Sequence, residues 1–209
     1  MAKRIFDSIF SITTLLLLGW LLIICWLLAT IDTKSNGLFI QKRIGQFGNP
    51  FNIYKLKSMK EINGVKTISR FGNFLRKTKI DELPQLFNVL MGTMSVVGPR
   101  PDVPGYYDKL EGTDRKILEL KPGLTSPATL KYANEETLLA QQENPLHYND
   151  TILFPDKVTL NLEYYHTRTF FGDLKIIAQT MFFWAKKPPN PCFGSAQHRL
   201  KGGIDIGKI

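Results

Sequence analysis

Cysteine and histidine are too few in this 209-residue chain to build a disulfide framework or a zinc site. Cys25 lies in an apolar run and Cys192 in a polar tail, and these different surroundings argue against a disulfide between them. The three histidines, at positions 147, 166 and 198, have no zinc-ligand spacing. Internal repeats and long low-complexity segments are also absent from the sequence. We therefore expect one domain with appendages, in a reducing compartment.

Acidic residues are in the minority, with 18 Asp and Glu against 27 Lys and Arg, and the formal net charge is +9. Such an excess of positive charge implies an anionic partner, which could be nucleic acid, a phosphorylated substrate or acidic lipid. No nucleic acid is expected, because aromatic residues are not interleaved with the basic ones as in a stacking platform. Phosphorylated substrates and membrane phospholipid remain as the expected partners.

Charge is missing altogether from residues 8–31. As a straight helix this stretch would extend about 36 Å, enough to cross a hydrocarbon core of about 30 Å. It is too long for a signal peptide, and no small-x-small cleavage site follows it. A straight span remains open, and so does a re-entrant helix that breaks at Gly19-Trp20 and leaves by the face it entered. Basic residues flank both ends, and they favour the cytoplasm.

The first part of the chain after this segment predicts a small β-hairpin and two helices. Residues 38–43 and 51–57 have the composition of short strands, and glycine, asparagine and proline lie between them. Residues 69–92 carry two helical apolar stripes. The second helix is expected to start close to Asp81, because Pro84 is tolerated in a first turn but not deep inside a helix.

The rest of the chain predicts further helices separated by irregular chain. A polar helix is expected at 103–119, irregular chain after residue 123, and two more helices at 156–168 and 171–187. The last is apolar, with an aromatic cluster and a basic end, and is either a membrane-surface helix or a core helix. The tail that follows is predicted to be disordered.

Two adjacent carboxylates, Asp81 and Glu82, follow a basic stretch that includes Lys77 and Lys79. Neighbouring helical residues point about 100° apart, so these two acids are suited to different tasks. One could serve as a nucleophile that attacks phosphorus and the other as a ligand for Mg²⁺. An ordinary acidic first turn of a helix would contain the same residues, so the pair alone does not decide the function.

Three cations are candidates for binding a phosphate beside this pair. Arg100 lies between Pro99 and Pro101 in what we expect to be a rigid loop, which suits bidentate contact with phosphate. A turn with an exposed arginine would have the same sequence. Lys57, on the second strand, and Arg76 could join Arg100 in neutralising a diphosphate as it is cleaved.

Taken together, these motifs resemble those of the bacterial sugar transferases called monotopic phosphoglycosyl transferases, over roughly residues 3–187. The matching stretches are 3–7, 39–45, 51–59, 79–90, 94–101 and 121–125. The resemblance implies transfer of a sugar-1-phosphate from a UDP-sugar to undecaprenyl phosphate, with release of UMP, in a ping-pong reaction that needs Mg²⁺.

The resemblance also assigns roles to individual residues. Asp81 would be the nucleophile that carries a covalent phosphosugar, and Glu82 would hold the metal together with Asp81. Lys57 would be a further catalytic residue. The implied substrate-binding residues are Arg76, Pro99, Arg100 and Arg115.

The fold implied by the resemblance is α+β and mostly helical. Residues 1–33 would form a re-entrant membrane helix, 34–187 one compact cytoplasmic catalytic domain and 188–209 a C-terminal tail. A small β-hairpin and amphipathic interfacial helices would belong to the catalytic domain. The protein would lie in the bacterial inner membrane, with its catalytic domain on the cytoplasmic face, and could be a homodimer. Its product would start a capsule, exopolysaccharide, O-antigen or glycoprotein glycan.

Two stretches depart from the pattern of many family members. Gly19-Trp20 stands where many have Ser-Pro at the helix break, and residues 126–129 replace a Gly-Trp that often follows Pro-Gly-Leu-Thr. We expect the second region to shape the sugar pocket, so the identity of the sugar is not carried over from relatives. Two other functions remain open: a polyprenyl-phosphate glycosyltransferase that releases UDP, and a membrane adaptor without enzymatic activity.

Overall fold

The computed structural model describes residues 2–62 and 64–186, and the predicted tail at 188–209 lies outside the described residues. The helices are α1 (Ala2–Thr33), α2 (Arg70–Thr78), α3 (Gln85–Met91), α4 (Pro127–Lys131), α5 (Glu135–Ala140), α6 (Pro145–Tyr148), α7 (Phe154–Thr167) and α8 (Phe170–Lys186). The strands are β1 (Leu38–Ile44), β2 (Pro50–Leu56), β3 (Met59–Ile62), β4 (Val65–Ile68), β5 (Ser95–Val97) and β6 (Gly123–Thr125). The chain is thus mostly helical, with small sheets, as predicted.

The N-terminal helix α1 is long and apolar enough to cross a membrane. Its helical backbone continues without interruption through Gly19 and Trp20. The prediction that the helix is interrupted at this position is therefore wrong. A single glycine costs only about 1 kcal/mol relative to alanine inside a helix. That is too little to interrupt a long run of leucine and isoleucine residues.

Both ends of α1 contact the remainder of the protein. Near its start, Lys3 forms an ion pair with Asp173 of α8. Near its end, Asp32 accepts a hydrogen bond from the hydroxyl of Ser69, the residue that caps the start of α2. The middle is uncovered, and Leu16 is 80% exposed. One body therefore holds α1 at two places and leaves an apolar stretch between them facing outward.

The predicted hairpin is confirmed, and two further strand pairs accompany it. Strands β1 and β2 pair antiparallel in a register that runs from Leu38 opposite Leu56 to Ile44 opposite Pro50. Strands β3 and β4 form a second antiparallel hairpin, and β5 pairs with β6 in parallel. The last two pairs are only four and three residues long, too short to give a clear alternating pattern in the sequence.

The predicted polar helix over 103–119 is wrong. Two short 3₁₀ segments, Tyr107–Lys109 and Asp114–Glu119, stand in its place. Gly105 and Gly112 adopt positive φ angles of 107° and 56°, and this backbone conformation cannot continue a right-handed helix. Turn formation by the glycines therefore overrides the helical periodicity of their neighbours.

The chain after residue 123 is more ordered than predicted, because it contains α4, α5, α6 and a π-helical turn at Asn149–Leu153. Ser126 caps α4 by accepting the backbone N–H of Thr129, and Asn144 caps α6 in the same way. A proline follows each cap at the start of the helix, where proline is well tolerated. The helices predicted near 156–168 and 171–187 are confirmed as α7 and α8 within the described residues.

A central apolar cluster joins the elements that will matter below. Ile53 of β2 packs with Val89 of α3, with Val96 and Val97 of β5, and with Tyr164 of α7. All of these side chains are buried. The hairpin, α3 and β5 are thereby fixed relative to one another.

Candidate active site

The adjacent carboxylates lie in a tight turn between α2 and α3. Lys79 ends α2 in the left-handed conformation, with φ of 58°, and a single 3₁₀ turn, Ile80–Glu82, follows. Pro84 then precedes α3. The α-helix thus begins at Gln85, about one turn later than the sequence predicted, and Asp81 precedes it. A non-glycine residue with positive φ is strained, so the surrounding structure must hold this turn in place.

Asp81 is buried and incompletely bonded. The residue is 8% exposed, and its Oδ1 accepts no hydrogen bond from any described residue. Burial, and secondly the charge of Glu82, raise the pKa of Asp81 to about 6, although the charge of Lys55 opposes this shift. A buried carboxylate oxygen without a donor is costly for stability. Because no donor among the described residues engages its lone pairs, the oxygen also keeps the electron pairs with which a carboxylate can act as a nucleophile.

Glu82, the next residue, is hydrogen-bonded to cations through both carboxylate oxygens, in contrast to Asp81. Its Oε1 accepts hydrogen bonds from Arg100 Nη2 at 2.5 Å and from Lys55 Nζ at 3.3 Å, and its Oε2 accepts from Arg100 Nη1 at 3.2 Å. Burial opposes ionisation, but the charges of Arg100 and Lys55 outweigh it and hold the pKa of Glu82 well below its ordinary value. The two neighbouring acids therefore differ in both bonding and proton affinity.

Two glycines fix the position of Arg100. The N–H of Gly98 donates to Thr125 O at 2.9 Å, and the N–H of Gly123 donates to Pro99 O at 2.8 Å. A Cβ atom on either glycine would overlap the backbone opposite, so only glycine allows the two segments to approach this closely. Arg100 follows directly from this anchored segment.

The cation that reaches the carboxylate pair from β2 is Lys55. The sequence had assigned this role to Lys57. Lys57 lies one residue beyond the end of β2 at Leu56. Its Nζ instead donates to Ser35 Oγ at 2.7 Å, close to the end of α1.

The other residues assigned from the sequence are distributed over the surroundings. Arg76 forms an ion pair with Glu136, and its charge also lowers the pKa of Asp81 slightly against the effect of burial. Pro99 is buried. Arg115 is exposed and donates to the carbonyl of Leu110 at 3.2 Å, with no recorded contact to the carboxylates among the described residues. Of these residues, Arg100 is hydrogen-bonded to Glu82, and Arg76 acts on Asp81 through its charge.

Asn88 was missed by the sequence analysis, although it connects α3 to the strand that carries Lys55. Its Oδ1 accepts from the N–H of Tyr54 at 3.2 Å, and its Nδ2 donates to Asn52 O at 2.7 Å. The side chain is 1% exposed. Asn88 lies about 100° around the helix from Phe87, so the predicted apolar stripe did not mark it as buried. In the structure its amide is buried and is accordingly hydrogen-bonded.

The described residues contain no group of three or more His, Cys, Asp or Glu side chains that could hold a metal ion. The site therefore fits only an ion that takes one or two carboxylates and completes its coordination with substrate oxygens and water, as Mg²⁺ does. Asp81 Oδ1 accepts no hydrogen bond from the described residues, and Glu82 Oε2 accepts one from Arg100 Nη1. The donor set thus fits Mg²⁺ bound together with a phosphorylated substrate.

Comparison with known proteins gives a match to the family described as bacterial sugar transferase over residues 1–187. A Bacillus subtilis (strain 168) protein, provisionally named an undecaprenyl-phosphate N-acetylgalactosaminyl 1-phosphate transferase, is 38% identical over 120 residues, which cover 52% of this chain and 66% of that protein. The UDP-glucose:undecaprenyl-phosphate glucose-1-phosphate transferase of Klebsiella pneumoniae is 32% identical over 194 residues, 86% of this chain and 39% of that protein.

The exopolysaccharide production protein PSS of Rhizobium leguminosarum bv. phaseoli is 36% identical over 146 residues, 62% of this chain and 73% of that protein. The chain thus spans between about two fifths and three quarters of the length of these three relatives. The family match, in contrast, extends over all but the last 22 residues of the chain. The chain belongs to the bacterial sugar transferase family.

Proposed function

We propose that this protein transfers a sugar-1-phosphate from a UDP-sugar to undecaprenyl phosphate and releases UMP. The observation that carries the proposal is the unequal pair, in which Asp81 has a buried oxygen without a donor while Glu82 is held ionised by two cations. An acid with a purely structural task would be paired, as Glu82 is. The names of the relatives support undecaprenyl phosphate as acceptor, UDP-sugar as donor and exopolysaccharide synthesis as the purpose.

In the first half-reaction, a carboxylate oxygen of Asp81 attacks the phosphorus that carries the sugar. A bond forms between this oxygen and phosphorus, and the bond from phosphorus to the bridging oxygen of the diphosphate breaks. UMP leaves with that oxygen. In the second half-reaction, an oxygen of undecaprenyl phosphate attacks the same phosphorus and releases the Asp81 carboxylate. The lipid then carries the sugar on a diphosphate.

The cations around the turn would stabilise the charge on the diphosphate. Lys55 and Arg100 carry two positive charges beside Glu82, and these balance the negative charges of Glu82 and of ionised Asp81. Asp81 and Glu82 would hold Mg²⁺, which supplies further neutralisation of the leaving phosphate when bound. Arg100 keeps Glu82 oriented through two parallel hydrogen bonds.

The nucleotide product tests this proposal against its alternatives. Purified protein is incubated with a panel of UDP-sugars, undecaprenyl phosphate and Mg²⁺, and the released nucleotide is identified by chromatography. We expect UMP from at least one UDP-sugar. UDP as the product would indicate transfer of the sugar without its phosphate. No nucleotide release with any UDP-sugar would favour the adaptor.

We further propose that both ends of α1 lie on the cytoplasmic face of the inner membrane. A straight crossing would separate the two ends by about 30 Å of hydrocarbon. Lys3 at one end and Asp32 at the other nevertheless both contact the same polar body. That body cannot be in contact with both ends of a straight span unless part of it lies in lipid. The apolar middle of α1 then enters the membrane from one side, as in a re-entrant or interfacial arrangement.

Cysteine accessibility tests this topology. Ala2→Cys and Lys66→Cys introduce thiols at two exposed positions, one before the apolar stretch and one in the second hairpin. We expect a membrane-impermeant thiol reagent to modify neither in intact spheroplasts, and to modify both after the inner membrane is opened. Modification of position 2 alone in intact spheroplasts would show that α1 crosses the membrane.

A comparison of two neighbouring lysines tests the geometry of the site. Lys55→Gln removes a charge bonded to Glu82, and we expect it to lower the rate of UMP release roughly 10- to 100-fold. Lys57→Gln removes a charge bonded to Ser35 and should have a clearly smaller effect. The rates are measured at saturating substrate. A larger loss in Lys57→Gln would restore the assignment made from the sequence.

The pH dependence of the first half-reaction follows from the state of Asp81. Because the attacking group must be the carboxylate, we expect the rate of UMP release to fall as the pH drops through the Asp81 pKa of about 6. The positive charge of Lys55 lowers this pKa, so the acid limb should move to higher pH in Lys55→Gln. The measurement is single-turnover UMP release between pH 5 and about pH 8. An unmoved limb in the variant would contradict the assignment.

A further inference from the structure

The first turns of α1 hold the far end of the helix that follows the carboxylate pair. Arg4 Nη2 donates to Leu90 O at 2.6 Å, and Arg4 Nη1 donates to Val89 O. The last carbonyls of a helix have no partner within the helix, and a cation is favoured there by the helix dipole. Arg4 therefore caps the C-terminal end of α3 from outside.

The cap has space because the residue beyond α3 is glycine. Gly92 adopts φ of 86° and ends the helix in the left-handed conformation. A Cβ atom at this position would lie 3.2 Å from Arg4 Nη2 and 3.4 Å from Arg4 Cζ. Arg4 thus packs directly on the turn that closes α3.

Two neighbours of Arg4 in sequence strengthen the same attachment. Asp7 is 3% exposed, and its Oδ1 accepts from the N–H of Val96 in β5 at 3.1 Å. Lys3 pairs with Asp173 in α8. Of these three residues, Arg4 is the one whose described hydrogen bonds reach α3 itself.

The length of α3 makes this contact relevant to the reaction. The helix has seven residues and is about 10 Å long, so it moves as one short rod. Its N-terminal end continues directly from the turn that contains Asp81 and Glu82. Its C-terminal end is bonded to Arg4 of the membrane helix. A shift at one end is therefore transmitted to the other.

We propose that Arg4 is a positioning residue for the reaction, because its cap on α3 holds the Asp81–Glu82 turn where Asp81 can attack. The inference rests on the function proposed above. It implies that the seating of α1 in the membrane and the reactivity of Asp81 are coupled through α3. If Arg4 served only as a basic flank that favours the cytoplasm, a lysine would replace it without loss.

Arg4→Lys separates these two roles. Lysine keeps the positive charge, but its single ammonium group cannot reproduce a planar fork that bonds two carbonyls. Lys3→Gln is the matched control, since it breaks an ion pair one residue away without touching α3. Each protein is purified in lipid nanodiscs and incubated, without acceptor, with the UDP-sugar selected by UMP release and labelled in its sugar. The measured quantity is the single-turnover rate constant of protein labelling, which does not depend on the fraction of molecules that fold.

For Arg4→Lys we expect this rate constant to fall about 10-fold or more at saturating UDP-sugar, because small misplacements of a reacting group are costly. The half-saturating UDP-sugar concentration and the amount of protein in the membrane fraction should stay within about threefold of wild type. Lys3→Gln should label within about threefold of the wild-type rate.

Three results would overturn the inference: a wild-type rate constant in Arg4→Lys, an equal loss in Lys3→Gln, or loss of labelling that coincides with loss of the folded state in thermal unfolding. Absence of labelling in the wild-type protein would be a different result, because it would contradict the proposed function itself.

Discussion

Replacement of Asp81 by asparagine should abolish turnover, with UMP release reduced about 1,000-fold or more. The carboxamide has almost the same shape as the carboxylate, but it cannot form an acyl phosphate by attacking phosphorus. The buried oxygen of Asp81 has no hydrogen-bond donor to lose, so the surrounding structure should remain in place. The measurement is UMP release at saturating UDP-sugar, with and without undecaprenyl phosphate. Asp81→Ala serves as a second variant, because asparagine can deamidate to aspartate and alanine cannot.

The same substitution should make the protein more stable. The pKa of Asp81 is raised from 3.8 to about 6, so the folded state binds the proton more tightly than the unfolded state does. The cost of holding the ionised form is absent below about pH 4, grows between pH 4 and pH 6 and is complete above pH 6. Asp81→Asn removes this cost, and we expect the free energy of unfolding to rise on the order of 1–3 kcal/mol near neutral pH.

Thermal unfolding at pH 7.5 and at pH 4 tests this second effect of Asp81→Asn. We expect a higher melting temperature at pH 7.5 and little difference at pH 4, because both proteins are then uncharged at this position. An inactive variant of lower stability at both values would indicate a structural acid and would weaken the assignment of Asp81 as nucleophile.

Arg100 should have the second largest effect. We expect Arg100→Lys to lower turnover about 100- to 1,000-fold, because lysine keeps the charge but cannot form the two parallel hydrogen bonds to Glu82. Glu82 would keep its hydrogen bond from Lys55 but lose the planar fork that orients its two oxygens. The measurement is UMP release at saturating UDP-sugar, compared with Arg168→Lys, which changes an exposed arginine bonded to the carbonyl of Tyr165.

A double variant distinguishes loss of charge balance from loss of catalysis. Arg100→Met leaves the buried charge of Glu82 undercompensated, and its stability should fall. Adding Glu82→Gln removes that charge and should restore most of the stability, but not the turnover. If Arg100→Lys retains at least half of the wild-type rate, the paired arrangement of Arg100 and Glu82 is not needed for the reaction.

The sequence predicted the elements whose patterns are strong and local. The first hairpin has clear strand composition and turn residues, and it formed as predicted. Helices α7 and α8 follow long apolar periodicities, which packing reinforces. In the candidate site, the adjacent acids and the arginine between two prolines are recognisable as candidates from the sequence alone. Arg100 does contact Glu82.

The remaining features depend on contacts between distant residues or on single backbone conformations. Lys55 and Lys57 could not be separated by alternation, because two residues spaced by two share a face of a regular strand and only their distant partners, Glu82 and Ser35, distinguish them. The cap that Arg4 places on α3 joins residues 86 positions apart. Glycines with positive φ broke the helix expected over 103–119, whereas Gly19 did not break α1. Local composition does not decide between these outcomes.

The most direct test of the account is the mass and position of a covalent adduct. The protein is incubated with UDP-sugar and Mg²⁺ in the absence of undecaprenyl phosphate, and then quenched and digested for mass spectrometry. We predict one sugar phosphate per protein, located on the peptide that contains Asp81, and its loss when undecaprenyl phosphate is added. An adduct on any other residue, or UMP release with UDP-sugar and acceptor together but no adduct without acceptor, would contradict the account.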